Sequence, residues 1–484
     1  MSDIAFQSAS QLIAGLRTRR LGSRELLDRY LQRIDRFNPA LNAVVTLDVD
    51  RARQRADAAD AALARGEVWG PLHGLPMTIK DAIETAGLRT TCGAEGLADH
   101  VPTIDATAVS RLRAAGAVVF GKTNLPTFAM DVQSYNPVFG TTNNPWDVTR
   151  APGGSSGGAA AALAAGLCGL ELGSDIGGSI RNPAHFCGVY GHKATHGIIP
   201  LRGHIPGPPG TLGETDIGVL GPMARSAEDL DLALSVLAGP DTNRAVAWQL
   251  ALPPPRHGSL REYRVAAWLD DPACAVDAAV LDRFNATVDA LRKQDVNVDE
   301  RARPGFALAD AFRDYLRLLY PVTTGGLPDE QFEQLIALAT SLPYDDGQLA
   351  RLAHFSTLRH RDWLRANEAR ERYRAAWTVF FRDYDVLLCP ITPTAAIPHD
   401  HNPDQNARTI VVNGQQRSYW DQIVWAGVFG MALLPATVAP VGRTPAGLPV
   451  GVQIVGPYLE DRTTIDFARR LADVCGGFEA PPGY

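Results

Sequence analysis

The sequence predicts an α/β protein with a large central mixed β-sheet surrounded by helices. Short apolar runs bounded by Gly or Pro, such as residues 74–80 and 448–455, are typical of buried strands. Between such runs lie segments whose apolar residues recur at helical spacing, such as 24–35 and 278–293. Strands that alternate with helices favour a sheet whose faces are covered by helices.

The individual elements follow from the same periodicities. Asn38-Pro39 is expected to end the first helix, because the residue before a proline disfavours the helical conformation. The Gly- and Ser-rich residues 173–183 are expected to form a loop. We predict helices at 24–35, 50–65, 106–115, 227–237, 278–293 and over most of 306–381, and strands at 74–80, 117–120, 215–221, 263–269, 384–389 and 448–455.

Composition argues against several classes of function. The 484 residues carry 46 Lys and Arg against 53 Asp and Glu, and the resulting acidic pI near 5.9 disfavours nucleic acid as a direct partner. The six Cys include no Cys-x-x-Cys pair, which favours a reducing cytoplasm over a disulfide framework or a zinc site. Residues 1–11 lack the features of a signal peptide, and no run of 18 apolar residues occurs. We therefore expect a cytoplasmic protein that binds neither a metal nor a membrane.

Lysine is rare in this chain, which limits the chemistry that lysine can perform. A lysine can act as a base once burial lowers its pKa, whereas arginine stays protonated. Only four of the 46 basic residues are lysines, namely Lys80, Lys122, Lys193 and Lys293. Any lysine-dependent reaction has at most these four candidates.

Two short motifs match known patterns without the structure those patterns require. Residues 116–123 fit the phosphate-loop pattern G-x-x-x-x-G-K-[ST], but their centre is an apolar, strand-forming run instead of a flexible turn. Residues 153–157 fit the G-x-S-x-G nucleophile elbow of α/β-hydrolases, but a turn-rich loop precedes them where that elbow needs a strand. Nucleotide binding is therefore disfavoured, and an α/β-hydrolase-type esterase is kept only as an alternative.

Two Gly- and Ser-rich loops and one lysine form the most specific pattern. Ser155 lies in the first loop and Ser179 in the second, 24 residues later, while Lys80 precedes Ser155 by 75 residues. With these spacings, the chain closely resembles the amidase signature family over roughly residues 12–471. The resemblance also includes the segments 74–81, 121–124, 191–197 and 447–456. It implies one domain over 1–484, with a signature core at about 71–230 and a variable substrate-pocket region at about 256–430.

The residues themselves favour a serine–lysine mechanism. Amide hydrolysis needs a nucleophile, a base that activates it and donors for the developing oxyanion. Neither serine loop contains a histidine, so nothing in the sequence requires a Ser-His-Asp triad. A Ser-Lys arrangement is a known variant, and the apolar flanks of Lys80 favour the burial that lowers an amine pKa.

The resemblance assigns each residue of this pattern a role. It implies that Ser179 is the nucleophile, Lys80 the base and Ser155 the bridging serine, which follows a cis peptide bond. Ile176, Gly177, Gly178 and Ser179 are expected to form the oxyanion hole through their N–H groups. Gly154, Ser156, Asp175 and Arg181 are expected to support the two loops, and Met130 to contact the substrate. Lys122 and Lys193 are expected to be structural, and Lys293 to lie on the surface of a helix.

The expected reaction is hydrolysis of a small amide through an acyl-enzyme, without cofactor or metal. We expect a stand-alone amidase for apolar or aryl acylamides, with esters, carbamates (urethanes) and nylon-type oligomeric or cyclic amides as related substrates. Its partner would be the small-molecule amide, with no nucleic acid and no membrane, and a homodimer is left open. The alternative is the A subunit of tRNA-dependent glutamine amidotransferase, which shares the fold and triad and works with a partner that holds the tRNA. The Tyr-rich run usual in that family member is absent, and residues 363–381 differ from it.

Overall fold

The computed structural model describes residues 3–205, 208–345 and 347–484, and confirms the predicted fold class. In these ranges an eleven-stranded mixed sheet forms the centre, with helices packed around it. Four further strands form two separate two-stranded sheets, β4 with β5 and β12 with β13. The strands of all three sheets are β1 Val44–Leu47, β2 Pro76–Lys80, β3 Val118–Thr123, β4 Tyr135–Asn136, β5 Gly140–Thr141, β6 Glu171–Asp175, β7 Tyr190–Lys193, β8 Val219–Ala224, β9 Arg264–Ala267, β10 Asn297–Asp299, β11 Val386–Cys389, β12 Thr409–Val412, β13 Gln415–Ser418, β14 Ala436–Arg443 and β15 Pro449–Val455.

The helices lie mainly between these strands, as the alternating pattern predicts. One of them, at Ala227–Leu237, has the predicted bounds, while several others shift by a few residues at their ends. They are α1 Ala9–Arg17, α2 Ser23–Leu41, α3 Val49–Ala64, α4 Thr107–Ala114, α5 Gly157–Ala164, α6 Arg181–Cys187, α7 Ala227–Leu237, α8 Ala278–Arg292, α9 Leu308–Thr324, α10 Asp329–Ser341, α11 Gln348–Ser356, α12 His360–Asp383, α13 Val424–Met431 and α14 Asp461–Cys475.

The order of the strands brings the two parts of the predicted site to one edge of the sheet. The central sheet has the order β1-β3-β2-β6-β8-β7-β14-β15-β11-β9-β10. Strands β2 and β6 are parallel neighbours, so their carboxyl ends meet at the same edge, where α/β sheets usually bind ligands. Lys80 is the last residue of β2 and Asp175 the last of β6. The lysine and the second serine loop are therefore adjacent.

Helix α5 follows the first serine loop and is buried along its whole length. Its eight residues are Gly and Ala with one Leu, and all of them are buried. Such small side chains let the helix pack closely on β2, β6 and β8. This close packing fixes the position of the serine loop that leads into the helix.

Two local predictions are wrong. Helix α2 passes through Pro39 and ends at Leu41, because a proline there removes only one backbone hydrogen bond of the last turn. Asn42 then terminates the helix in the left-handed conformation, with φ 50°. Residues 173–175 are not loop but the end of β6, since their backbone pairs with β8 from Gly173 to Asp175.

The two disfavoured motifs are absent as functional structures. Residues 118–123 form strand β3, and Lys122 is buried there, so the apparent phosphate loop is not a loop. The segment before Ser155 contains turns and bridges but no strand adjoining the serine, which excludes a nucleophile elbow within the described residues.

The assignment of residues 1–484 to one domain stays a prediction, and the eleven-stranded central sheet supports it. Its strands come from both halves of the chain, from β1 to β15.

Over the residues that the structure describes, no helix combines the length and apolarity needed to cross a bilayer.

Candidate active site

Lys80 is buried at the end of β2 and lies against three serine hydroxyls. Its Nζ is 2.6 Å from Ser155 Oγ, and 3.0 Å from the Oγ atoms of Ser156 and Ser174. Burial lowers the pKa of Lys80 to about 7, because the ammonium ion loses its hydration, although the Asp175 carboxylate favours it. The free amine, which can accept a proton, is therefore accessible at neutral pH.

The loop that carries Ser155 is held by the backbone around it. The Gly154–Ser155 peptide bond is cis, as the family resemblance implies. A Cβ atom on Gly154 would lie 2.6–2.7 Å from the backbone of residues 131–133, so only glycine fits. The Ser134 hydroxyl donates to Gly153 O at 3.0 Å and accepts from Gly157 N at 3.0 Å. These contacts fix the Ser155 hydroxyl beside the lysine.

Ser179 lies on the second loop, and a backbone hydrogen bond joins the two loops. Ser156 N–H donates to Ser179 O at 3.0 Å. Exposure increases along the predicted triad, since Lys80 is 0%, Ser155 1% and Ser179 8% exposed. Ser179 is therefore the member that a substrate can reach.

Asp175 and Arg181 form a buried ion pair that shapes the second loop. Arg181 donates to both Asp175 oxygens, at 2.7 and 2.9 Å, and to Ala426 O and Gln453 Oε1. Asp175 also accepts from Gly178 N–H at 2.8 Å. Burial opposes ionisation of Asp175, but Arg181 and the backbone donors outweigh it and hold its pKa below the usual range. These contacts hold the backbone of the second loop, and the supporting role of both residues stays a prediction.

The Gly178 contact bears on the predicted oxyanion donors. The Gly178 N–H donates to Asp175 at 2.8 Å, so this hydrogen bond competes with any that it could donate to a substrate. Gly178 has φ 112°, a conformation that favours glycine, and this turn directs its N–H to the carboxylate. Ile176, Gly177 and Ser179 remain as the predicted donors.

Burial alone does not distinguish Lys80 from the other lysines. Lys122 and Lys193 are also buried, which lowers their pKa values to about 8 and about 7. Lys122 donates to Ile83 O and two threonine hydroxyls, and Lys193 donates to Ala194 O at 3.0 Å. Their contacts are of the structural kind that the sequence predicts. Lys80 differs because its neighbours include serines of the first loop and of β6.

Met130 lies beside the segment that packs on Gly154. It is 40% exposed, so a substrate can contact it, as the prediction requires. The next residue, Asp131, forms a buried ion pair with Arg408 at 2.7 Å and accepts a hydrogen bond from the Tyr419 hydroxyl. Both side chains of this pair are almost fully buried, so the pair holds the segment in place and does not face solvent.

Sequence reasoning missed one hydroxyl of the site. Ser174 contacts Lys80 Nζ, whereas the sequence pattern places it in a loop together with Asp175. Pairing of β6 with β2 would have placed Ser174 near the end of β2, so the missed signal is strand pairing. Within the described residues, no cluster of three or more His, Cys, Asp or Glu is arranged to hold a metal ion.

Comparison with known proteins places the chain in a family. Residues 25–465 match the family model described as Amidase. The chain belongs to the amidase family. As a family member it is a hydrolase that carries the amidase signature.

The relatives of this amidase are full-length matches. The glutamyl-tRNA(Gln) amidotransferase A subunit of Synechococcus sp. (strain CC9605) is 33% identical over 499 residues, covering 96% of each chain. A solved amidase structure is 29% identical, with a TM-score of 0.78, and covers 96% of this chain and 99% of its own. The structure of the glutamyl-tRNA(Gln) amidotransferase A subunit from Thermotoga maritima is 25% identical, with a TM-score of 0.77, covering 99% and 98%.

These relatives correct the predicted function. The prediction of a stand-alone acylamidase or urethanase for apolar or aryl substrates is wrong, because curated relatives of full length carry the name of the alternative. The alternative had been disfavoured because residues 363–381 differ from the Tyr-rich run, and these residues lie in the region that varies most between family members.

The exclusion of nucleic acid is wrong as well. The names of these relatives connect them to a tRNA substrate. Net charge describes only the surface of one chain, whereas a second subunit can hold an RNA. The acidic pI therefore could not exclude an RNA-linked reaction.

Proposed function

We propose that this amidase is the A subunit of a glutamyl-tRNA(Gln) amidotransferase and releases ammonia from the side-chain amide of glutamine. The observation that carries the proposal is the 33% identity to such subunits over 96% of both chains. In this assembly a partner subunit holds the glutamyl-tRNA, and a nucleoside triphosphate first phosphorylates the side-chain carboxylate of the glutamate. Ammonia then attacks that carbon and phosphate leaves, which gives the glutamine amide while the ester to the tRNA stays intact.

The proposed triad is Lys80, Ser155 and Ser179. Ser179 Oγ attacks the amide carbon of glutamine, and its proton passes through Ser155 to the free amine of Lys80. The proton then returns through Ser155 to the amide nitrogen, the C–N bond breaks and ammonia leaves. Water hydrolyses the resulting acyl-enzyme by the same proton path, which releases glutamate. The 2.6 Å contact between Lys80 and Ser155 supports this path.

The oxyanion of the tetrahedral intermediate is proposed to accept hydrogen bonds from Ile176, Gly177 and Ser179. One such donor is typically worth about 2.7–4 kcal/mol of transition-state stabilisation. The ion pair of Asp175 and Arg181 holds the loop that presents these donors.

The segment beside Met130 packs on the loop of the bridging serine. Residues 131–133 contact the backbone around Gly154, and the buried pair of Asp131 with Arg408 holds this segment in place. Exposed Met130 is proposed to contact the aliphatic part of the glutamine side chain.

The proposal is tested by measuring glutaminase activity of the purified chain, alone and with the partner subunits co-expressed. We expect ammonia release from glutamine that increases when the partners and glutamyl-tRNA(Gln) are added. The negative control is Ser179→Ala, which keeps the fold but lacks the nucleophile and should be inactive.

A substrate panel of anilides and alkyl amides distinguishes the proposal from a different amidase. Rapid hydrolysis of small anilides by the lone chain, with no glutaminase activity in either preparation, would overturn the amidotransferase assignment. Full activity of Ser179→Ala would overturn the catalytic roles instead.

A further inference from the structure

Tyr315 joins the variable helical region to the loop that carries the proposed oxyanion donors. It lies on α9 and is fully buried. Its hydroxyl donates to the carbonyl oxygen of Ile176 at 3.2 Å. No feature of the sequence pointed to this residue, because it lies 136 positions after the nucleophile.

The tyrosine fits between two glycines. A Cβ atom on Gly177 would lie 2.7 Å from the Tyr315 hydroxyl oxygen. A Cβ atom on Gly427, in α13, would overlap the edge of the tyrosine ring. Both positions therefore require glycine for Tyr315 to approach the loop, and the ring has little freedom to move.

The contact with Ile176 fixes the orientation of one peptide group. The peptide unit that joins Ile176 and Gly177 is planar, and in the trans form its C=O and N–H point in opposite directions. When Tyr315 holds the C=O on its own side, the Gly177 N–H must point away from the tyrosine. The hydrogen bond thus controls where one proposed oxyanion donor is aimed.

A neighbouring peptide shows why this control matters. The Gly178 N–H is directed at Asp175, and this hydrogen bond competes with one to an oxyanion. Without a partner for the Ile176 C=O, the preceding peptide could rotate in the same way. Gly177 lacks a side chain, so little else in the loop resists that rotation.

We propose that Tyr315 is a positioning residue that keeps the Gly177 N–H directed at the carbonyl oxygen of the substrate. It does not touch the substrate and acts through the Ile176–Gly177 peptide. The inference rests on the proposed roles of Ser179 and its loop, but not on glutamine as the substrate. It also means that the position of α9 in the variable region affects the rate of the chemical step.

The test compares Tyr315→Phe with Tyr320→Phe. The first removes only the hydroxyl and keeps the buried ring. The control removes a hydroxyl from the same helix, where half-buried Tyr320 packs on Phe355. Removal of one oxyanion donor lowers kcat about 10²–10³-fold, so misdirecting one should lower kcat about 10- to 100-fold. KM should change less than about twofold, because the donor acts mainly in the transition state.

A second readout does not depend on the identity of the amide. Phenylmethanesulfonyl fluoride sulfonylates an active serine, as Ser179 Oγ bonds to sulfur, fluoride leaves and the serine proton passes to Lys80. Negative charge develops on a sulfonyl oxygen, so the rate, followed by intact mass, should fall in Tyr315→Phe by a similar factor. The Tyr320→Phe rate should match that of the wild type.

The outcomes separate this inference from the proposed function. Slower sulfonylation of Tyr315→Phe in a protein without glutaminase activity supports the inference and rejects the glutamine assignment. Wild-type kcat and sulfonylation in Tyr315→Phe would overturn the inference, as would equal losses in both variants. A wild-type protein that is not sulfonylated at Ser179 would overturn it together with the catalytic roles.

Discussion

Replacing Lys80 with arginine should abolish the proton acceptor while keeping a positive charge at the same place. The Lys80 Nζ is buried and lies 2.6 Å from Ser155 Oγ. Lysine can release its proton there, because burial lowers its pKa to about 7. Arginine remains protonated at any pH that the protein tolerates, so it cannot accept the serine proton.

The size of the effect follows from the fraction of free amine. A lysine with an ordinary pKa near 10.4 is only about 0.04% neutral at pH 7. Lowering the pKa to about 7 increases the neutral fraction at pH 7 by about three orders of magnitude. General-base catalysis contributes about 10²–10⁴-fold, so we expect Lys80→Arg to lower kcat/KM by about 10³-fold or more at pH 7.

The pH dependence gives the prediction a second, independent part. The active form is the neutral amine, so wild-type kcat/KM should rise as the pH increases through about 7 and then level off. In Lys80→Arg this rise should disappear. The matched control is Lys293→Arg, which changes the exposed lysine that caps α8 and should behave as the wild type does.

The assay is ammonia release from glutamine between pH 5 and 9, with the sulfonylation rate of Ser179 measured in parallel. Circular dichroism melting curves show whether each variant is folded. A folded Lys80→Arg protein that keeps more than a tenth of the wild-type rate at pH 7 would refute the reasoning. So would an unchanged rise of activity near pH 7 in that variant.

Three further predictions follow from the same site. Asp175→Asn should destabilise the protein by about 3–5 kcal/mol in denaturant unfolding, because it leaves Arg181 buried without a counter-charge. The pKa of Asp175 is depressed in the folded protein, so the loss of unfolding free energy in Asp175→Asn should be complete above the ordinary carboxylate pKa near 4 and should shrink at lower pH. A loss of stability that grows on acidification would contradict this. Gly154→Ala should cost about 1–3 kcal/mol and lower kcat, because its Cβ would overlap the backbone of residues 131–133; a wild-type melting curve would argue against that packing. Ser174→Ala should move the rise in kcat/KM to lower pH, because the Lys80 ammonium loses an acceptor; no shift, or an upward one, would show that Ser174 does not stabilise it.

Much of the site could be predicted because its local signals are strong. Apolar flanks marked Lys80 as buried, and the glycines around Ser155 and Ser179 marked tight loops. The position of Ser174 could not be predicted from local signals, because the end of strand β6 is polar and resembles a turn in sequence. Its strand conformation depends on pairing with β8, which the sequence does not show. Tyr315 could not be predicted either, since its contact joins segments that are far apart in the sequence.

The reaction class followed from the site, but the substrate did not. Residues 363–381 differ from the Tyr-rich run and so counted against the amidotransferase, and they form part of helix α12. The buried residues of that helix, which include Trp377 and Phe381, pack against the rest of the protein. Its aromatic residues therefore reflect packing as much as recognition of a ligand. A helix of this kind carries little information about the ligand.

The graded exposure of the triad has a consequence for the exchange of protons with solvent. Lys80 is sealed from water, and of the three residues only Ser179 has an appreciable accessible surface. In the tetrahedral intermediate the Ser179 oxygen is bonded to the substrate carbon and carries no proton. The proton held by the Lys80 amine is then shielded from solvent, and its destination is the departing nitrogen. In such an enclosed path acylation returns the proton of the nucleophile to the leaving nitrogen, and deacylation takes a new proton from the attacking water.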